Sequence, residues 1–132
     1  MVSGVWQKDF PPITRATLAL YAGASGDHNA AHIDSDAAKA AGFSDVFGQG
    51  MLGMAYMGQT ISDTVPPERI RCFSARFVAI TQLGARLSCT GRPVRKYEEE
   101  GEERIAINLE MTDQFGETKL TGHAVVAVGA RS

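Results

Sequence analysis

The chain has 132 residues, of which 44% are hydrophobic, and its formal net charge at neutral pH is −2. This length supports one hydrophobic core, so we expect a single domain over residues 1–132. Acidic and basic residues are mixed along the chain, which argues against binding to nucleic acid or to a membrane surface. The first residues lack a signal-peptide core, and no apolar run approaches about 20 residues. We therefore expect a cytoplasmic protein.

The first half of the chain predicts one short strand and three helices. The strand covers residues 5–10 and ends at two prolines. A helix follows from residue 15 to about 24, with Thr14 as its N-cap, and a short helix at 37–41 has Asp34 as its cap and Gly42 at its end. Residues 50 to about 63 are small, methionine-rich and nearly uncharged, which predicts a helix that is buried on all sides.

The second half predicts an antiparallel sheet. Strands are expected at residues 70–81, 85–97, 104–111 and 118–128, with a solvated hairpin tip at 98–102 and a turn at 113–116. Gly91 and Pro93 interrupt the second of these strands and indicate a bulge or an edge. One buried helix followed by four strands is an α+β pattern. Free sheet edges favour pairing of two copies, so we expect a homodimer or a dimer of dimers.

The two cysteines give no sign of a functional site. Cys72 and Cys89 match no metal-binding or redox spacing and lie in predicted strands. We expect each thiol to pack as a small apolar group, with no disulfide between them.

Residues 25–32 combine a carboxylate and an imidazole in one short segment. Asp27 and His32 are five residues apart, and on a regular helix they would face about 140° away from each other. They can meet only if the chain leaves the helix between them. Gly26 and Asn29 favour a compact loop at this point, because glycine allows unusual backbone angles and asparagine bonds to nearby backbone. The loop therefore predicts an acid/base pair.

The segment resembles a known enzyme signature. The matching positions are Tyr21, Ser25-Gly26-Asp27-x-Asn29-x-x-His32 and Gly48-x-Gly50-Met51-Leu52, and the likeness continues through Arg76-Phe77 to residues 122–126. They resemble the MaoC-like (R)-specific enoyl-CoA hydratases and the related 3-hydroxyacyl-ACP dehydratases. The resemblance implies a hot-dog fold, in which a long central helix is wrapped by a curved antiparallel sheet of about five strands.

The resemblance also implies a reaction. Asp27 and His32 would bind one water for the syn hydration of a trans-2-enoyl thioester to an (R)-3-hydroxyacyl thioester. The Gly50 N–H would lie in the oxyanion hole, and its place at the start of a helix independently makes it a free donor. The substrate would carry coenzyme A or the phosphopantetheine of acyl carrier protein, with no further cofactor. Further substrate contacts are expected from Ser25, Asn29, Ala31, Met51 and Met54.

The chain departs from this family at a few positions. The family usually has Pro followed by Leu or Ile between the Asn and the His, whereas this chain has Ala30 and Ala31. The smaller side chains would enlarge or loosen the site. A proline that usually follows Arg-Phe is replaced by Ile80, and a later Gly-Asp by Gly84-Ala85.

Other interpretations of the same residues stay open. Ser25, Asp27 and Asn29 are also typical turn formers, and Met51, Met54 and Met57 are typical core residues. His28 and His32 have a spacing that binds metal on a helix, but the intervening loop and the lack of a third ligand argue against it. His123 is expected on a strand surface, and Arg92, Arg95 and Lys96 either contact coenzyme A phosphates or are solvated. At the level of function, the alternatives are a hot-dog acyl-thioesterase and a supporting subunit of a heterodimeric dehydratase.

Overall fold

A computed structural model describes residues 4–128, so the outermost residues of the predicted domain, 1–3 and 129–132, lie outside it. The helices are α1 (Arg15–Ser25), α2 (Ser35–Ala40) and α3 (Gly50–Ser62), with single 3₁₀ turns at Ala30–His32 and Pro67–Arg69. The strands are β1 (Trp6–Asp9), β2 (Ile70–Phe77), β3 (Ser88–Glu99), β4 (Glu102–Thr112) and β5 (Thr118–Val128). No helix within the described range is long and apolar enough to cross a membrane.

The helices begin and end at the signals found in the sequence. The Thr14 hydroxyl accepts a hydrogen bond from the Thr17 backbone N–H in a capping box, and α1 ends at Gly26, whose φ of 79° is left-handed. The Asp34 carboxylate caps α2 through the N–H groups of Asp36 and Ala37. These local bonds explain why the predicted helix bounds agree with the structure to within one or two residues.

The five strands form one antiparallel sheet in the order β1-β3-β4-β5-β2. The predicted alternation of β4 is confirmed, since its four apolar residues Ile105, Ile107, Leu109 and Met111 are buried. The predicted bulge is also confirmed, as the β3–β4 register shifts between Pro93 and Arg95. The core lies between the inner face of the sheet and α3. The predicted α+β class, with one long helix against a five-stranded sheet, is therefore confirmed.

Some details of the prediction were wrong. Helix α3 is not buried on all sides: Met51 is 54% exposed, and only Met57 of the three regularly spaced methionines is fully buried. The sheet covers one side of the helix and leaves the other open. Strand β2 ends at Phe77 rather than at residue 81, because the Val78 and Ala79 N–H groups turn to the Lys119 carbonyl. Both cysteines are unbridged, but only Cys89 is buried, and Cys72 is exposed.

The hairpin predicted to be solvated over residues 98–102 contains a buried carboxylate. Glu102 begins β4 and accepts two hydrogen bonds from the Arg71 guanidinium, both 2.8 Å long, and one of 2.9 Å from Arg104. The β2–β5 register shifts between Ile70 and Cys72, so Arg71 is the bulged residue. The two guanidinium groups lower the pKa of Glu102 to about 2.

Candidate active site

The loop after α1 is held together by bonds between residues two apart. The Ser25 hydroxyl accepts a hydrogen bond from the Asp27 N–H. The Asp27 carboxylate accepts one from the Asn29 N–H, and the Asn29 side-chain oxygen accepts one from the Ala31 N–H. Each is a side chain bonding to the backbone just ahead of it, which favours a compact non-helical path. The chain thus leaves the helix after Ser25, as expected, and resumes only a single 3₁₀ turn before His32.

This path brings Asp27 and His32 together. The His32 Nε2 and the Asp27 Oδ2 are 4.0 Å apart. That distance exceeds a direct hydrogen bond and suits two groups that share a water or a substrate atom. The His32 side chain is 11% exposed and that of Asp27 is 45% exposed, so the pair opens toward solvent on the aspartate side.

The tautomer of a neutral His32 ring is defined by a backbone carbonyl. The His32 Nδ1 lies 2.8 Å from the Phe47 oxygen. A carbonyl can only accept, so Nδ1 carries the hydrogen, and in the neutral ring Nε2 has a free lone pair. The ring of Phe47 also contacts the imidazole edge-on, with centroids 4.8 Å apart. His32 therefore directs a proton acceptor toward Asp27.

The segment that carries Phe47 is tied to both nearby helices. Arg15 at the start of α1 makes two hydrogen bonds to the carboxylate of Asp45, and the Ser35 hydroxyl at the start of α2 donates to the same group. The Val46 N–H donates to it as well. The Arg15 guanidinium, Ser35 and Val46 together hold the pKa of Asp45 well below its usual range. This cluster keeps the Phe47 carbonyl in register with His32.

A mainly apolar cavity of about 350 Å³ adjoins the segment. Its lining includes Phe47, Gly48, Gly50, Leu120 and residues 77–81. Gly50 is the first residue of α3, so its N–H has no acceptor within the helix and lies at the positive end of the helix dipole. A Cβ at this position would come within 3.3 Å of the Phe77 ring, so glycine keeps the backbone accessible from the cavity.

The predicted site residues fall into two groups. Asp27, His32 and Gly50 are connected through Phe47, which orients the imidazole and lines the cavity. Ala31 is half-buried beside His32. In contrast, Met51 and Met54 do not line this cavity: Met51 is largely exposed, and Met54 packs against the core.

The remaining histidines are not part of the acid/base pair. His28 and His123 are exposed, and the His123 Nδ1 is 3.3 Å from the Asn108 side-chain oxygen on the sheet surface. Lys96 pairs with Glu103 on the surface. Among residues 4–128, no three histidine, cysteine or acidic side chains are grouped so that they could share a metal ion.

Sequence reasoning missed several residues that shape this site. Phe47 acts through its carbonyl, which any residue would supply, so no sequence signal identifies it. Arg15 and Asp45 are 30 residues apart, and nothing local links them. Gly48, which is a position of the matching signature and directly follows Phe47, was a hint that this segment matters.

Comparison with known families identifies the chain. The family model of the MaoC-like domain matches residues 6–114, which is most of this chain. The chain belongs to the MaoC-like domain family. No curated protein matches the MaoC-like chain by sequence.

Solved structures share the fold of this MaoC-like domain. The (R)-hydratase from A. caviae involved in PHA biosynthesis superposes with a TM-score of 0.83 at 20% identity, covering 98% of this chain and 97% of its own. The unliganded R-hydratase PhaJ1 from Pseudomonas aeruginosa gives 0.81 at 23% identity, covering 100% and 88%. The ChsH1-ChsH2 complex from Mycobacterium tuberculosis gives 0.81 at 17%, covering 98% of each chain. These likenesses confirm the hot-dog architecture.

Proposed function

We propose that this MaoC-like domain is a hydro-lyase that reversibly hydrates a trans-2-enoyl thioester to an (R)-3-hydroxyacyl thioester. The observation that carries the proposal is the pair formed by Asp27 and His32, in which the Phe47 carbonyl leaves the imidazole Nε2 free to accept a proton. Membership of the MaoC-like family and the shared fold of two (R)-hydratases support the same reaction.

In the proposed reaction, Asp27 and His32 hold one water between them. His32 Nε2 accepts a proton from this water as its oxygen adds to the β-carbon of the enoyl group. The thioester oxygen gains negative charge and receives a hydrogen bond from the Gly50 N–H. The proton is then returned to the α-carbon from the same side, which makes the addition syn. General acid and base assistance of this kind contributes roughly 10²–10⁴-fold.

The cavity beside Gly50 supports a thioester substrate. Apolar side chains dominate its lining, which suits an acyl chain, and its contact with the start of α3 suits the thioester carbonyl. We propose that the substrate brings its own carrier, either coenzyme A or acyl carrier protein, and that the protein uses no other cofactor. Contacts from Ser25, Asn29, Ala31, Met51 and Met54 and a cytoplasmic location remain predictions from the sequence.

We also propose that the active form is an oligomer. Met51, Phe77, Val78 and Ile80 are apolar and about half exposed in the single chain, and within residues 4–128 no strand pairs with the outer edge of β1 or of β2. Structures of the same fold include the ChsH1-ChsH2 and HadBC complexes. A homodimer, a dimer of dimers and a heterodimer with a related subunit are all consistent with these features.

Substitutions in the acid/base pair test the proposal. Asp27→Asn and His32→Ala should each lower kcat for crotonyl-CoA hydration by at least ~10²-fold, because each removes a partner in proton transfer. His28→Ala is the matched control, since His28 is an exposed histidine in the same loop and should leave kcat unchanged. Melting curves should show all three variants folded. Activity close to wild type in either pair variant, or release of free thiol from an acyl-CoA at a comparable rate, would contradict a hydratase.

A further inference from the structure

Lys119 is a lysine whose side chain is only 2% exposed, near the start of β5. Lysine is rarely buried unless it is paired. Its Nζ donates a 2.8 Å hydrogen bond to the Ile80 carbonyl and forms ion pairs with Glu117 and, at 3.7 Å, with Asp113. An apolar side chain would fill this position without the cost of desolvating an ammonium group. The contacts that the ammonium makes must therefore account for a charged residue at this position.

The Ile80 carbonyl belongs to an irregular stretch that we call the wall segment, residues 78–82. Residues 78–81 form one side of the cavity. The segment has left the regular ladder of β2, and Lys119 holds it twice: its carbonyl accepts from the Val78 and Ala79 N–H groups, and its ammonium binds the Ile80 carbonyl. A single residue thus fixes the first half of the segment.

The second half of the wall segment contacts the strip of chain that orients His32. The Gly48 N–H donates to the Thr81 carbonyl at 2.7 Å, and Phe47 forms an isolated β-bridge with Gln82. The Gln82 side chain donates to Asp113, which is one of the two acidic partners of Lys119. Hydrogen bonds, the Lys119–Asp113 ion pair and the peptide bonds between them therefore link the Lys119 ammonium to the Phe47–Gly48 peptide.

We propose that Lys119 is a positioning residue, which holds the wall segment so that the Phe47 carbonyl keeps His32 in its Nδ1–H form. The proposal rests on the proposed function, because it assigns Lys119 a role in the same site. A hydrogen bond from a charged donor is stronger than one between neutral groups, and it is strengthened further away from water. Displacement of a reacting group by about 1 Å can lower the rate by roughly 10²-fold, so a small shift of Phe47 matters.

Lys119→Met tests this role, because methionine keeps an unbranched apolar stem and removes the ammonium. Lys8→Met is the control: Lys8 is a strand lysine whose side chain is 31% exposed, and its ion pair with Asp63 lies on the β1 edge. In Lys119→Met, the Gly48 amide should exchange with solvent at least ~10-fold faster, while the Ile107 amide in central β4 is unchanged. NMR of the His32 ring nitrogens should show a share of the Nε2–H tautomer. Crotonyl-CoA hydration should lose kcat by roughly 10-fold or more, within the range that misplacement produces.

A second variant keeps the proposal testable if Lys119→Met does not fold. In Lys119→Met, Asp113 stays buried without its cation, whereas Lys119→Met with Asp113→Asn removes both charges. The amide oxygen introduced by Asp113→Asn could still accept from the Phe115 and Glu117 N–H groups that Asp113 Oδ1 binds. If this double variant also failed to fold, Lys119 would serve stability alone and the proposal would be overturned.

The outcomes separate the two proposals. Unchanged Gly48 exchange and an unchanged His32 tautomer in a folded variant would overturn the positioning role, whatever the kinetics. Equal changes in Lys8→Met would also overturn it. If the wild-type protein hydrated no enoyl thioester while the Gly48 and His32 changes still occurred, the positioning role would stand and the proposed function would fall.

Discussion

The substitution Gly50→Ala tests whether the open space at the start of α3 is needed for substrate binding or only for folding. The backbone of Gly50 is not left-handed, so alanine can adopt it. The added Cβ would lie 3.3 Å from two ring carbons of Phe77, a few tenths of an ångström closer than an ordinary contact. Because Phe77 is about half exposed, its ring can move to make room. The methyl group would then occupy the side of the cavity nearest the free N–H.

The expected effects on stability and on activity differ in size. Alanine favours a helix over glycine by up to ~1 kcal/mol, and the crowding of Phe77 opposes this gain. The net change in the free energy of unfolding should lie within about 1 kcal/mol. If the Gly50 N–H binds the thioester oxygen, however, displacement of that oxygen should cost ~10²–10³-fold in kcat, as loss of an oxyanion-hole donor does.

Gly58→Ala provides the control within the same helix. Its Cβ would also lie 3.3 Å from a phenylalanine ring, that of Phe73, but Gly58 does not line the cavity. The rate of crotonyl-CoA hydration, measured as the loss of the conjugated thioester absorbance, should fall only in Gly50→Ala. The thermal unfolding of the two variants should be similar. Equal activity in both, or a loss of activity in Gly50→Ala that merely follows a loss of stability, would refute the reasoning.

Three further predictions concern pH, assembly and specificity. The folded-state pKa of Glu102 is about 2, below its ordinary value of 4.5. Its contribution to stability is therefore present above about pH 4.5 and is lost as the pH falls toward 2. Glu102→Gln should make the urea midpoint of unfolding less dependent on pH between these two values. Light scattering should give at least twice the 14.1 kDa chain mass, and an active monomer would contradict the oligomer. Ala31→Leu should lower kcat/KM for a bulky branched enoyl-CoA more than for crotonyl-CoA, by ~1–3 kcal/mol of discrimination. Equal effects on both substrates would mean that Ala31 does not shape the pocket.

Local signals predicted the elements and part of the site because their partners are close in the chain. Thr14 and Asp34 cap helices through N–H groups two or three residues ahead. The bonds of Ser25, Asp27 and Asn29 likewise span two residues each. The meeting of Asp27 and His32 follows from this local path, which explains why it could be expected without any knowledge of the fold.

Patterns that depend on neighbours from elsewhere in the chain were predicted less well. The composition of α3 indicated burial on all sides, yet its exposed face depends on how far the sheet extends around it. Glu102 lies in an acidic, solvated-looking sequence, but the Arg71 guanidinium, 31 residues away, reaches it from β2 and buries it. Neither the exposed face of α3 nor the burial of Glu102 can be predicted from the local sequence.

The sequence by itself determined the secondary structure, the fold class and the loop that joins the carboxylate to the imidazole. Only the tertiary structure decided which groups orient that pair, namely the Phe47 carbonyl 15 residues from His32 and the Lys119 ammonium 39 residues from Ile80. The physical reason is twofold. A backbone carbonyl has no residue type by which to recognise it, and long-range partners are selected by strand order and core packing, which are properties of the whole chain.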